Sequence, residues 1–281
     1  MIGYFKLACI VLHDKRLAFV AYLILMFSSL GARLFDLFIH LTFVPMVWFF
    51  YFLIAFALHQ KKHLFLGMTL TAMILFTTYV PFYFITIFIT FIIFYAFFYF
   101  RSFKKIILVE LDFVKKNRIF VGICLLAFCI SLIPGMLLFK QAQQGDFVLS
   151  LRQPSIEAGA KEAGAKNSIE VHPKWNKWAS MDDISYAALQ PSLKKINFAV
   201  IYVPIFVYII FIFGLIVQMN KKLIFLFLWG SFIFILGSPN VTDFYHFLHK
   251  YIFYFKYFRN LHFFLWIIVL PVLILFLVEQ L

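Results

Sequence analysis

The chain has 281 residues, of which 64% are hydrophobic and only 13% charged, with a formal net charge of +13. Soluble domains carry charge on about a quarter of their residues, and a chain this apolar has no aqueous core large enough to hide its surface. These values exclude an ordinary water-soluble enzyme, and they make lipid the solvent for most of the chain. The cations flank apolar runs, where they set orientation and meet anionic headgroups, so no nucleic-acid partner is expected.

In chain order, the pattern predicts an all-α polytopic membrane protein with a bundle of about eight transmembrane helices. Met1 to Leu12 is too short to span and has no signal-peptide cleavage pattern, so it reads as a surface segment or as the tail of something longer. After the charged His13 to Arg16 comes a short first span, Leu17 to Leu30, and then a second, Leu41 to Leu58, closed by Gln60, Lys61 and Lys62. Leu64 to Phe100 is too long for one crossing and contains Pro81, which divides it into a third span ending near Tyr79 and a fourth from Phe82.

Next comes RSFKKIILVELDFVKKNR, Arg101 to Arg118, with basic ends and an apolar centre; it predicts an amphipathic segment lying on the membrane surface. The fifth span is Ile119 to Phe139, and a polar segment, Lys140 to Lys195, follows it. That segment holds the doubled EAGAK at Glu157 to Lys166, whose glycines weaken a helix, and Trp175 and Trp178, suited to headgroup depth. The sixth span is Ile196 to Met219, the seventh Leu223 to Leu236 and the eighth Leu261 to Leu277. The organisation is therefore membrane helices over 1–139, an external polar segment over 140–195, and membrane helices over 196–281 with an external aromatic and basic loop at 237–260.

With eight crossings, the loops holding Lys15/Arg16, Lys61/Lys62, Arg101 to Arg118 and Lys221/Lys222 all fall on one side. The positive-inside rule makes that side the cytoplasm. Lys250, Lys256 and Arg259 then stand outside in a short loop, against the rule, which marks them for something other than topology.

Cys9, Cys124 and Cys129 all lie in apolar segments and read as packing residues, with no disulfide framework and no metal site. Soluble-enzyme signatures such as GxSxG, a Walker loop or HExxH are absent from the sequence. Asp243, His246 and His249 would share one helical face and could ligate a divalent metal, but an interfacial segment with a wet polar face is the better account. The cations of the last outer loop suit an anionic ligand, most simply a phosphate or pyrophosphate. Arg259 offers the planar fork that bonds phosphate twice; snorkelling to headgroups is the simpler alternative for it and Lys256.

Several stretches taken in order carry a family likeness: FVPMVWFF at Phe43 to Phe50, SLIPGMLLF at Ser131 to Phe139, LSLRQP at Leu149 to Pro154, LGSPN at Leu236 to Asn240, and YFRNLHFF at Tyr257 to Phe264. This order resembles the bacterial YfhO-type membrane proteins, grouped with the GT-C class of polyprenyl-phosphate-dependent glycosyltransferases. The resemblance implies a Pro closing the fifth helix (Pro134), an outer-loop Arg (Arg152), and a Phe-Arg pair before the last helix (Phe258 and Arg259).

It further implies transfer of a sugar from a polyprenyl-phosphate donor to a glycan or lipid acceptor at the outer face of the bacterial cytoplasmic membrane, without an organic cofactor. Arg259, Lys256 and Arg152 would contact the lipid phosphate. The family's catalytic acid sits in its first external loop. In this register that loop is expected to be missing, as in a fragment of a longer protein; Asp36, in the first external loop of this chain, is a candidate base, though ARLFDLF departs from the family's acidic motif. A non-catalytic scaffold and a transporter or flippase, with Pro204 and Pro271 as helix breaks, are the rival readings.

Overall fold

A computed structural model describes residues 2–32, 37–77, 81–143, 220–237, 247, 251 and 268–279. Over these residues the protein is all-helical. We number the helices α1 (Ile2–Leu12), α2 (Lys15–Met26), α3 (Ser29–Ala32), α4 (Leu37–His59), α5 (Lys62–Thr77), α6 (Pro81–Phe98), α7 (Phe100–Lys116), α8 (Arg118–Gln143), α9 (Lys221–Gly237) and α10 (Leu270–Val278).

Among the described residues one helix is by itself long and apolar enough to cross a membrane, α4 over Leu41–His59. Its 23 residues reach roughly 34 Å at 1.5 Å per residue, against a hydrocarbon core of about 30 Å. The segments expected as the third, fourth, fifth and seventh spans are helical as α5, α6, α8 and α9. The sixth lies outside the described residues, and the eighth is described only from Ile268 onward.

The amino-terminal segment corrects the sequence reading. It is not a surface strip: α1 buries Tyr4, Ala8 and Leu12, a stripe four residues apart, in the main core. Ala18 and Ala21 on α2 are fully buried as well. These small residues let helix backbones approach closely. The helices before and after the polar segment share one core, with Leu25, Phe43 and Ile87 in the same cluster as Leu223, Ile233 and Ile274. The Tyr4 hydroxyl donates to the Pro271 carbonyl at 3.1 Å, tying α1 to α10.

Helix α4 lies between α1 and α5, and two of its rings rest on glycines of those neighbours. A Cβ on Gly3 would come within 2.9 Å of Trp48, and one on Gly67 within 2.7 Å of Phe52. Trp48 and Phe52 stack on each other at 5.5 Å. On the far side of α4, Phe49 and Phe50 meet Phe84 and Phe91 of α6, and Phe91 meets Phe225 and Trp229 of α9. Trp229 Nε1 donates to Thr90 Oγ1 at 3.2 Å, which satisfies the indole inside the ring cluster.

The helix ends are stopped by local chemistry. Asp14 caps α2, its Oδ1 accepting from Arg16 N at 2.6 Å and from Leu17 N at 3.3 Å, and Asn220 Oδ1 accepts from Leu223 N at 2.9 Å at the start of α9. His13 and Gln60 end α1 and α4 with φ of 57° and 53°, the left-handed position usually given to glycine. Asn117 ends α7, its Nδ2 donating to the Phe113 carbonyl at 3.1 Å.

Candidate functional site: the basic end of the bundle

Several lysine-bearing helix ends gather at one end of the bundle. Phe56 at the end of α4, Phe65 early in α5, Phe113 late in α7 and Phe120 early in α8 form one ring cluster, with Phe56–Phe113 at 4.9 Å and Phe65–Phe120 at 6.0 Å. Lys62 Nζ lies 6.0 Å above the Phe120 ring, bringing the α4–α5 turn to the start of α8. At the start of α9, Lys221 lies 5.1 Å from the Tyr99 ring, where α6 ends. Its neighbour Lys222 reaches the end of α1, donating to the Val11 carbonyl, and pairs with Glu279 at the end of α10.

Helix α7 is the chemically distinctive element here. It leaves α6 at Tyr99 with a bend of 118°. Neither glycine nor proline stands at that break; the apolar run simply gives way to Arg101, Lys104 and Lys105. At 3.6 residues per turn α7 has three faces. Phe113 is buried and Phe103, Ile106, Val109 and Glu110 are half-buried against the bundle. Phe100, Ile107, Leu111 and Val114 form an exposed apolar stripe. Arg101, Lys104, Lys105, Lys115 and Lys116 lie on the remaining, exposed side.

Of the two acids of α7, Asp112 lies on this basic side and Glu110 on the face against the bundle. Asp112 Oδ2 accepts from Lys116 Nζ at 2.7 Å in an exposed pair four residues apart, a contact worth a few tenths of a kcal/mol (about 0.3–0.5). Burial pushes the Glu110 carboxyl above its ordinary range.

The residues singled out for chemistry in the sequence are not among those the structure describes. Asp36, Arg152, Lys256 and Arg259 are outside the described residues, as are Asp243, His246 and His249. Among the described residues no three His, Cys, Asp or Glu side chains come together as a metal site would need. The Lys222–Glu279 pair was missed by the sequence reading. Its only signal was that one apolar helix starts with a lysine and another ends with a glutamate, and nothing in the sequence says that these two ends meet.

Comparison with protein families, with curated proteins and with solved structures returns no match.

Proposed function

We propose that the chain is a multi-pass protein of a bacterial cytoplasmic membrane, with the basic end of the bundle in the cytoplasm. The exposed side of α8 carries this reading. Ile119, Ile123, Leu126, Ile130, Ile133 and Leu137 recur every three or four residues along that helix, and each is more than half exposed. In water such a stripe is a large hydrophobic penalty, whereas in acyl chains it is the ordinary outer face of a bundle. The gathering of the lysine-bearing turns at one end adds the orientation. Single cysteines in place of Lys61, Lys105 and Lys221 are then labelled from the cytoplasmic side alone; labelling of any of them from outside sinks this topology.

For activity, we propose the reaction that the family likeness implies, sugar transfer from a polyprenyl-phosphate donor at the outer face. An acceptor hydroxyl attacks the anomeric carbon and loses its proton to a carboxylate, for which Asp36 is the candidate. The lipid phosphate leaves with the bonding electron pair, and cations stabilise it as its charge develops. Arg259 is assigned the phosphate contact, with Lys256 and Arg152 supporting it. What supports this is the order of motifs and the excess of cations in a short outer loop that topology alone would keep free of them. Replacing Arg259 with Ala abolishes the envelope glycan product while the protein level stays normal. Unchanged product removes the transferase and leaves the scaffold or flippase reading.

A further inference from the structure

The membrane reading uses the cations of α7 for orientation alone, yet their placement on the helix is specific. The basic side of α7 is continuous at its carboxyl end with other cations. Phe113 packs against Phe56, and Phe120 against Phe65, so Lys115, Lys116 and Arg118 share one corner with Lys61 and Lys62. The exposed apolar stripe of Phe100, Ile107, Leu111 and Val114 borders this basic surface along the whole helix.

We infer that α7, with the α4–α5 turn, forms a binding site for the anionic phospholipid headgroups of the cytoplasmic leaflet. This rests on the membrane reading above and is independent of sugar transfer. Charge complementarity and the adjoining stripe fix the occupant. A soluble anion would use the cations and leave the apolar stripe in water. A lipid satisfies both, its phosphate against the lysines and its acyl chains against Ile107 and Leu111. The 118° bend at Tyr99 supplies the posture, because it turns α7 away from the axis of α6 so that the helix can lie along the leaflet surface. Of its two acids, Asp112 is engaged by Lys116 and Glu110 is turned partly into the bundle, so neither cancels the cations at the amino-terminal half.

The test is hydrogen–deuterium exchange on the full-length chain in lipid nanodiscs, made either of phosphatidylcholine alone or of phosphatidylcholine with phosphatidylglycerol. The expected result is slower exchange over 100–116 in the anionic discs, with α4 equally protected in both. Each cation near an anionic surface strengthens adsorption about fivefold, so removing three in R101Q/K104Q/K105Q weakens it on the order of a hundredfold and abolishes the difference between the discs. In I107S/L111S the segment loses protection in both discs. Equal exchange of 100–116 in the two lipids overturns the site, as does a full difference retained in the triple variant. Inorganic phosphate that reproduces the slowing in phosphatidylcholine discs also overturns it, showing a phosphate site that does not require lipid. Failure of α4 to gain protection in either disc instead sinks the membrane reading itself.

Discussion

Lys222 Nζ stands 2.7 Å from Glu279 Oε2, joining the first residues of α9 to the last of α10, and the same ammonium bonds the Val11 carbonyl of α1. Both side chains are partly shielded, at 28% and 16% exposure. Removing one partner leaves the other under-solvated. Lys222→Met is therefore expected to cost about 1–2 kcal/mol, below the 3–5 kcal/mol of a fully buried pair. The double variant K222M/E279L recovers most of the loss. Thermal unfolding in detergent checks this, and additive losses in the double variant would refute the coupling.

Gly67→Ala tests the contact between α4 and α5. Its Cβ would stand 2.7 Å from the Phe52 ring, so the ring must shift out of its stack with Trp48. Overpacking of this kind costs about 1–3 kcal/mol, partly offset by about 1 kcal/mol of helix propensity. Phe52→Leu in the same chain restores stability. A melting temperature unaffected by Gly67→Ala would show that the rings move freely.

The left-handed caps predict gains. His13 and Gln60 adopt positive φ, which costs an L-residue about 1–2 kcal/mol and glycine almost nothing. His13→Gly and Gln60→Gly are each expected to stabilise by up to about 1 kcal/mol after glycine's unfolded-state entropy is counted. Lower melting temperatures in both would mean that the two side chains hold contacts worth more than the strain.

Glu110 predicts a pH dependence. Its carboxyl is raised by burial on α7, so the folded state holds the proton more tightly than the unfolded state. The group's contribution is best below the ordinary carboxylate range and declines as pH rises from that range to the raised value. Glu110→Gln should remove this decline and raise stability at neutral pH. An unchanged pH profile of the melting temperature in that variant contradicts the assignment.

Much of the helix order was legible in the sequence because each long apolar run ends in charge. Gln60, Lys61 and Lys62 mark the α4–α5 turn, and the Arg101 to Arg118 segment declares its amphipathic character through the alternation of lysines with Ile and Leu. The role of α1 was not legible. Eleven residues are too few to span, and nothing in IGYFKLACIVL announces that Tyr4 and Ala8 meet α10 and the main core across most of the chain. Length-based reasoning sees single segments, whereas burial of a short helix depends on partners distant in sequence. The carboxyl ends of α1 and α4 were legible to within a residue, but their left-handed caps were not, because His13 and Gln60 occupy positions where glycine would have been the signal. The proposed phosphate site, resting on Arg259 and its neighbours, remains a reading of motif order and charge placement.

The bond from Tyr4 to Pro271 joins positions 267 residues apart. Ribosomes add about 5–20 residues per second, so tens of seconds separate the synthesis of these two partners. During that interval the apolar stripe of α1 has no α10 to pack against. Packing of α1 against α2 and α4 can form early, whereas its tie to α10 forms only after the chain has been made through Pro271.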